Sequence, residues 1–407
     1  MESTIPHFVP KSLARLTVLL GFLCAFAPFS TDLYLAAFPA MAKDMDTSVE
    51  RIQLTLSIFF FGLALGQLAY GPLSDRFGRR VPLMAGLLLY IIVSVLMVFV
   101  RDIGLFLLLR FLQALGGCAG MVIGRAVVRD SFDLKGSARV FTIIMAIQAI
   151  GPVVAPVLGA YLVSTITWSS CFVFMAILGC FCLLATYFVL EESLPQERRV
   201  KKSFWEILKV FLEIISNRNF LFMALAGALA GSSIFAFISG SPAVLMDYYG
   251  FTETEYGWAF AIFSLAVAVM AQLNFLLLRK FTARLILTGA IIWMALSSVL
   301  LTLLAEIWVL PSALWLIFFL YLILMSLPMV AANSTALAMS YSGKYAGSAS
   351  SIVGVLQFAA AALISSLMGP SGAIFAFPMS ALIAIFSLVG VFFLTRCRFE
   401  KTNSDNG

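Results

Sequence analysis

Charged residues are scarce in this 407-residue chain, since Asp, Glu, Lys and Arg together make up only 11% of it. A water-soluble fold of this length needs a far larger charged surface, so the composition excludes one. Histidine is rarer still, because His7 is the only one. The chain also lacks a Gly-x-x-x-x-Gly-Lys-Ser/Thr sequence. Neither histidine-based catalysis nor ATP-driven chemistry therefore has support, and we do not expect an enzyme.

Cysteine is too sparse and too scattered to form a structural framework. The six cysteines lie in apolar runs or near the C-terminus, which is typical of inert packing rather than of disulfides or a metal centre. The sequence accordingly predicts no metal and no cofactor. The cysteines are Cys24, Cys118, Cys171, Cys180, Cys182 and Cys397.

Apolar residues, by contrast, make up 62% of the chain and give it a mean hydropathy of +1.04. They form twelve runs, and a helix of about 20 apolar residues crosses a bilayer. Glycine and proline interrupt the runs, which favours helices over the alternating strands of a barrel. The sequence predicts an all-α membrane protein with twelve transmembrane helices. The runs cover approximately residues 14–38, 52–71, 81–100, 104–128, 138–163, 167–190, 219–246, 257–279, 284–305, 310–339, 345–368 and 371–395.

Basic residues fall almost entirely on one side of the predicted membrane. The termini and the 2–3, 4–5, 6–7, 8–9 and 10–11 loops hold 21 of the 26 Lys and Arg, whereas the other side holds Lys43, Arg51 and Arg101. Because cytoplasmic loops carry such an excess, both termini are expected in the cytoplasm. The net charge of +6 is therefore a feature of topology, and no nucleic-acid partner is expected. The first run has no small-residue cleavage site, so we expect a retained helix rather than a signal peptide.

The longest hydrophilic stretch divides the twelve runs into two sets of six. Residues 191–218 contain a basic segment at 198–202, followed by aromatic and aliphatic residues interleaved with charge. This pattern predicts a cytoplasmic linker with an amphipathic surface helix. The chain is thus expected to form an N-terminal six-helix bundle over 1–190 and a C-terminal six-helix bundle over 219–407, the layout of two transporter halves.

Residues 71–80, between the second and third runs, concentrate charge at the cytoplasmic surface. Asp130, at the end of the fourth run, is expected at the same surface, so an ion-pair cluster that closes this side is one interpretation. Simple positive-inside anchoring of the arginines is the other. The predicted gating residues are Gly71, Asp75, Arg76, Gly78, Arg79, Arg80 and Asp130.

Asp32 is the strongest single candidate for a functional residue, because it is the only acidic side chain within the predicted spans. An ionised carboxylate at membrane depth costs about 3 kcal/mol or more. One interpretation is a proton-binding carboxylate that faces a water-filled cavity. The alternative is a structural carboxylate that caps a break in the first helix near Pro28 or Pro39.

Arg110 lies at the same predicted depth as Asp32, about 9 Å below the outer surface at 1.5 Å per residue. An interaction between the two, direct or through water, is one interpretation, and it makes both residues candidates for proton coupling. The other is an arginine that snorkels to the outer surface and braces the backbone. Arg125, deeper in the same helix, either snorkels to the cytoplasmic surface or faces the cavity.

The remaining polar residues in the spans are few, and none in the second half is charged. A cavity with so few hydrogen-bonding groups suits small amphiphilic molecules better than sugars. The residues expected to line it are Tyr34, Gln113, Gln148, Asn274, Asn333 and Gln357.

Three motifs resemble those of a known family. Residues 71–80 read Gly-x-Leu-x-Asp-Arg-x-Gly-Arg-Arg and resemble motif A of the major facilitator superfamily. Arg110-x-x-Gln113 looks like the arginine motif of the fourth helix, although Ala114 replaces its usual glycine. In the fifth run, Gly151, Pro152, Pro156 and Gly159 have the spacing of the antiporter motif of drug exporters.

Three further stretches narrow the resemblance to one branch of that superfamily. Residues 30–35, 125–130 and 346–350 look like the Bcr/CflA drug-resistance branch of the drug:proton antiporters. The resemblance implies a monomeric, proton-coupled exporter of small amphiphilic drugs, which works by alternating access in a bacterial inner membrane. A dedicated exporter of an endogenous metabolite or siderophore would have the same features. A membrane sensor with this fold but without transport is a third class, which the intact motifs disfavour.

Overall fold

The computed structural model describes residues 13–132, 134–199, 204–308, 312–342, 346–368 and 376–397. Within these ranges the chain forms fifteen α-helices and no β-strand. Twelve stretches are long and apolar enough to cross a membrane, judged by their length and composition. These findings confirm the predicted all-α membrane fold with twelve transmembrane helices.

The helices follow the order of the apolar runs, with two runs divided. Seven helices precede the linker, and they are α1 (Leu13–Asp32), α2 (Phe38–Asp44), α3 (Val49–Phe77), α4 (Arg80–Phe99), α5 (Ile103–Ser131), α6 (Leu134–Thr165) and α7 (Ser169–Val189). The linker contains α8 (Phe204–Ser216), where the surface helix was predicted. The others are α9 (Arg218–Pro242), α10 (Glu253–Leu277), α11 (Ala283–Trp308), α12 (Ala313–Leu324), α13 (Leu327–Ser340), α14 (Ala346–Met368) and α15 (Ala376–Arg396).

The chain divides into two compact units, and the boundary between them is not simply the linker. The first unit contains Met1–Ser203 together with Ile238–Leu265 and Ser365–Ile374. The second contains Phe204–Phe237, Ala266–Ile364 and Phe375–Gly407. The end of α9 and the beginning of α10 therefore pack with the first six spans. The division of the sequence into bundles over 1–190 and 219–407 stays a prediction.

In the first unit, small residues bring the helices into backbone contact. α5 packs against α1, α3 and α4. A Cβ atom at Gly120 would lie 2.7 Å from the Leu23 carbonyl oxygen, and one at Gly116 would lie 2.7 Å from the Gly86 carbonyl oxygen. Any side chain at these positions would force the helices apart, so the glycines of α5 determine how closely α1 and α4 approach it.

In the second unit, α11 packs against α12, α13 and α15. The tenth span consists of α12 and α13, which are separated at Met325 and Ser326 just before Pro328. Pro328 lies in the first turn of α13, where its missing N–H costs no helical hydrogen bond, so a helix beginning at this point accommodates the proline.

Candidate functional site

The first span is interrupted at Asp32, the acidic side chain within its apolar run. α1 ends at Asp32, and a turn followed by the 3₁₀ segment Leu35–Ala37 leads into α2. Pro28 lies inside α1 and has no N–H, so the Cys24 carbonyl lacks its helical donor. Gln148 of α6 replaces that donor, since its Nε2 donates to the Cys24 carbonyl oxygen at 2.9 Å. Gln148 therefore braces the first span, and its predicted place in the substrate cavity stays a prediction.

Asp32 is buried at the end of α1 with 4% of its surface exposed. The Oγ1 hydroxyl of Thr31 donates to Asp32 Oδ1 at 2.8 Å, and the same hydroxyl lies 3.0 Å from the Ala27 carbonyl oxygen and 3.1 Å from that of Pro28. A hydroxyl carries one proton and also accepts, so Thr31 can donate to an ionised Asp32 or accept from a protonated one. The contact thus accommodates both protonation states.

A negative charge at Asp32 has little compensation in this environment. No salt bridge joins Asp32 to a Lys or Arg in the part of the chain that the structure describes. The C-terminal end of a helix also carries partial negative charge, which repels a carboxylate. The direct Asp32–Arg110 ion pair that the sequence left open is therefore absent from this conformation.

Arg110 contacts the same helix end through its backbone instead. The fully buried guanidinium donates from Nη1 to Gln113 Oε1 at 2.6 Å and from Nη2 to the Ser30 carbonyl oxygen at 3.1 Å. Its Cζ lies 4.3 Å from the ring centroid of Tyr34 and 4.4 Å from that of Phe59. The last carbonyls of a helix lack helical donors, so Arg110 caps α1. It braces the backbone, but it does not snorkel to the surface.

A hydrogen-bonded network holds Arg110 and Gln113 in place. Gln113 Nε2 donates to Ser94 Oγ at 2.7 Å, and Ser94 in turn donates to the Tyr90 carbonyl at 2.6 Å. The hydroxyls of Tyr90 and Ser30 lie 2.6 Å apart. The network joins α1, α4 and α5, so a displacement at the end of α1 reaches all three helices. Both residues expected in the cavity on this face, Gln113 and Tyr34, are fully buried members of this cluster.

Arg125 lies toward the other end of α5, away from this network. Its Nε donates to the Met121 carbonyl oxygen at 3.0 Å, and its Nη2 donates to Gln67 Oε1 at 3.4 Å. The arginine thus contacts its own helix and α3.

The glycine that ends the predicted antiporter motif packs on the break itself. A Cβ atom at Gly159 would collide with the carbonyl oxygen of Leu33, the residue that follows α1. Nearby on α6, Pro156 and Ala160 contact Gly257 of α10, where a Cβ atom would lie 3.0 Å from the Pro156 carbonyl oxygen. α6 therefore supports the break on one side and the beginning of α10 on the other.

Tyr256 is a component of this site that the sequence did not indicate. It is fully buried beside Gly257, and its hydroxyl lies 3.0 Å from Ser241 Oγ. A tyrosine in an apolar run carries no distinguishing sequence signal, so only the packing of 238–265 with the first six spans reveals it.

We expect Gly159→Ala to impair the transport that the sequence motifs imply, because the added methyl group must displace the Leu33 carbonyl and distort the break. Overpacking of this kind costs about 1–3 kcal/mol. Gly124→Ala is the control, since its Cβ would lie 3.3 Å from the Cys24 Sγ and needs only a slight adjustment of that side chain. Thermal melting and substrate flux at equal expression measure both effects. Equal flux in the two variants would contradict a role of Gly159 at the break.

The charged loop between α3 and α4 forms a cluster at the other end of the spans. Arg79 is buried and donates from Nη1 to Asp75 Oδ1 at 2.6 Å and from Nε to Asp130 Oδ2 at 2.7 Å. Burial by itself lowers the pKa of Arg79, but the two carboxylates outweigh it and the pKa is raised, so the arginine stays charged. Three of the predicted gating residues are thus joined, and their role as a gate stays a prediction.

Glu192 completes this cluster and was missed by the sequence analysis. Its carboxylate accepts from the backbone N–H of Arg79 at 2.8 Å and from that of Arg80 at 3.2 Å, at the beginning of α4, where anions are favoured. Gly78 has a φ of +89°, and a Cβ atom there would collide with that carboxylate. The signal in the sequence was the acidic pair that directly follows the sixth run.

The other predicted gating residues of 71–80 make separate contacts of their own. Arg80 donates from Nη2 to the Tyr187 carbonyl oxygen at 2.7 Å, and its guanidinium lies 5.3 Å from the Tyr187 ring centroid. Arg76 lies over the ring of Phe77 at 5.4 Å. Gly71 accepts from Ser74 Oγ at 3.0 Å through its carbonyl.

Two of the polar residues predicted for the second half are paired. Asn333 Nδ2 donates to Asn274 Oδ1 and to the Met329 carbonyl oxygen, both at 2.8 Å, and both asparagines are buried. Gln357 lies on α14, where its backbone carbonyl accepts from Ser232 Oγ at 3.1 Å.

A chain of twelve spans with a buried carboxylate at a helix break and an ion-paired loop defines a helical membrane transporter. The sequence profile of the Major Facilitator Superfamily matches residues 19–365. The chain belongs to this superfamily, and the family expected from its motifs is confirmed.

The relatives include proteins named for drug resistance. The chain is 32% identical over 386 residues to the uncharacterized MFS-type transporter YdgK of Bacillus subtilis, covering 93% of this chain and 94% of that one. It is 29% identical over 391 residues to a bicyclomycin resistance protein homolog of Haemophilus influenzae, covering 95% and 97%. It is 34% identical over 245 residues to the multidrug resistance protein MdtL of Escherichia coli O81, covering 59% and 62%.

A solved structure supports the fold. A D-xylose-proton symporter superimposes with a TM-score of 0.76 at 12% identity, covering 95% of this chain and 98% of the other. At that identity the similarity concerns the fold alone.

Proposed function

We propose that the chain is a proton-coupled exporter of small amphiphilic compounds that works by alternating access and confers multidrug resistance. It would act as a monomer in the bacterial plasma membrane with both termini in the cytoplasm. The observation that carries the proposal is the buried, uncompensated carboxylate of Asp32 at the break of the first span.

In this proposal, the protonation state of Asp32 decides whether Arg110 binds the Ser30 carbonyl or the Asp32 carboxylate. When Asp32 is neutral, the guanidinium remains on the Ser30 carbonyl, as the structure has it. When Asp32 loses its proton, the carboxylate two residues further on attracts the same guanidinium, because two opposite full charges at low dielectric attract more strongly than a charge and a carbonyl dipole. Movement of Arg110 would uncap α1 and change the position of the break, which couples the proton to the conformation of the first span.

The Asp75–Arg79–Asp130 cluster is proposed as the cytoplasmic gate. Arg79, the residue just before α4, forms both of its ion pairs at short distance, one with Asp75 of α3 and one with Asp130 at the end of α5. Separating a buried arginine from its carboxylates is costly, so such a cluster favours discrete closed and open states.

The substrate class rests on the scarcity of polar groups and on the relatives. A pocket with few hydrogen-bonding groups favours substrates with a large apolar surface, and it disfavours sugars, whose hydroxyls need hydrogen-bond partners. Relatives named for resistance to bicyclomycin and to multiple drugs are consistent with export of such molecules.

The test is transport in liposomes that contain the purified protein, with a panel of amphiphilic drugs measured with and without a proton gradient. Gradient-dependent movement of drugs, accompanied by proton flux in the opposite direction, is the expected result. Transport that ignores the gradient would contradict the proposal. If only an endogenous metabolite or siderophore is transported, the function is dedicated export of that compound rather than drug export.

A further inference from the structure

The second unit contains an apolar groove of about 480 Å³ that the proposed transport mechanism does not use. It lies between α10, α11 and the junction of α12 with α13. This volume falls within the range of roughly 300–1,000 Å³ that small-molecule sites occupy. Its walls are almost entirely apolar, with Ser326 the only hydroxyl, and they include Met270, Leu277, Phe281, Leu285, Gly289 and Trp293.

The groove lies at the break between α12 and α13, where a side chain of α11 donates a hydrogen bond to a backbone carbonyl. α12 ends at Leu324, and the indole Nε1 of Trp293 donates to the Leu322 carbonyl oxygen at 2.8 Å. The Leu322 carbonyl therefore has a hydrogen-bond donor within the chain. Gly289 forms part of the wall, and a Cβ atom there would meet no heavy atom within 4 Å, so the space in front of it is open.

Positive charge is concentrated in the loop between α10 and α11, which contributes Phe281 to the groove wall. Arg279, Lys280 and Arg284 are exposed and alternate in sequence with the lining residues Leu277, Phe281 and Leu285. The same loop leads into α11, a helix of 26 residues whose N-terminal end carries partial positive charge. An apolar channel with three cations at its mouth is complementary to an anionic head group joined to an acyl chain.

We propose that this groove binds an anionic phospholipid, with an acyl chain along α11 and the head group at Arg279, Lys280 and Arg284. The loop faces the cytoplasmic leaflet in the orientation proposed above, where anionic lipids are recognised by basic pockets between helices. The lining residues Phe281, Leu285 and Trp293 are each about half exposed, at 47%, 58% and 51%, so the groove is accessible from the surface of this unit. A bound lipid would hold α10 against the broken tenth span.

The experiment is native mass spectrometry of the purified full-length protein, titrated with phosphatidylglycerol and, separately, with phosphatidylcholine. We expect tight retention of phosphatidylglycerol by the unmodified protein. Gly289→Leu should abolish that retention because the side chain fills the groove. Arg279→Gln with Lys280→Gln should lower phosphatidylglycerol affinity by about five-fold per charge and leave phosphatidylcholine unchanged.

Each variant has a matched control. Arg396→Gln removes an exposed arginine that stacks on Phe392, as Arg279 stacks on Phe275, both at 5.1 Å. Gly231→Leu introduces the same side chain at a second glycine with open space in front of it. Neither control should alter lipid retention. The charge variants replace surface residues, so they remain informative if Gly289→Leu fails to fold.

Unchanged phosphatidylglycerol retention in Gly289→Leu or in the double charge variant would overturn the proposal. Loss of drug binding without loss of lipid would identify the groove as a substrate site and would overturn it as well. A change from dimer to monomer in Gly289→Leu would do the same, by assigning the groove to a second copy of the chain. Lipid retention needs no transport, so this result and the test of proton coupling can fail separately.

Discussion

Asp32→Asn is expected to abolish proton-driven efflux while leaving a folded protein, whose substrate affinity stays at the low value of the protonated state. The amide has the shape of the protonated carboxyl group and can accept from Thr31, so the break in the first span should persist. It cannot release a proton, however, so the competition for Arg110 does not arise. Substrate affinity should rise with pH in the unmodified protein, because antiport requires that substrate and proton exclude one another, and it should be independent of pH in the variant.

The measurement is substrate binding and counter-transport of protons across the pH range, with the purified variants at equal amounts in liposomes. Asp102→Asn is the matched control, because Asp102 Oδ1 caps α5 by accepting from Leu105 N–H at 2.7 Å, and asparagine caps a helix equally well. It removes a carboxylate without removing its structural role. Efflux that remains coupled to protons in Asp32→Asn would rule out Asp32 as the proton site.

Arg110→Lys is expected to uncouple transport even though it keeps the positive charge. The guanidinium donates to two acceptors and stacks between two rings, and an ammonium group cannot reproduce that planar geometry. Leaving the Ser30 carbonyl or the Gln113 side chain unsatisfied costs about 1–3 kcal/mol each. We therefore expect a lower melting temperature and loss of proton-driven efflux.

Arg101→Lys is the control for that substitution, because Arg101 makes the same kinds of contact at the surface. Its guanidinium lies 4.8 Å from the Trp168 ring centroid and forms an ion pair with Asp44 at 2.7 Å, but its side chain is 46% exposed. Exposed ion pairs contribute about 1 kcal/mol or less, so this variant should transport normally. Normal coupling in Arg110→Lys would show that charge alone suffices, and the proposed competition at Ser30 would be wrong.

The fold was largely predictable because the bilayer imposes a simple constraint. Every backbone polar group in the membrane must be satisfied within the chain, so runs of about 20 apolar residues become helices. The twelve runs accordingly appear where they were expected, and a helix, α8, lies in the linker. The break at Asp32 was anticipated only as an alternative, because a proline removes one hydrogen bond but does not specify where the helix ends.

The site was only partly predictable, since its contacts join distant parts of the sequence. The grouping of Asp75, Arg79 and Asp130 followed from topology, because all three were expected at one surface of the membrane. The contribution of Glu192 required knowledge of which backbone amides stay unpaired at the beginning of α4. Tyr256 required the packing of 238–265 with the first six spans, which no local pattern encodes.

The sequence by itself determined the membrane-spanning class, the number of spans, the superfamily and the scarcity of charge that makes Asp32 and Arg110 stand out. The tertiary structure decided what those two residues do to each other. Equal depth in the membrane allowed an ion pair, but the end of α1 presents the free Ser30 carbonyl to Arg110, and the aromatic rings of Tyr34 and Phe59 hold the guanidinium there. A buried arginine takes the acceptor that packing places within its reach, and that placement depends on three helices together.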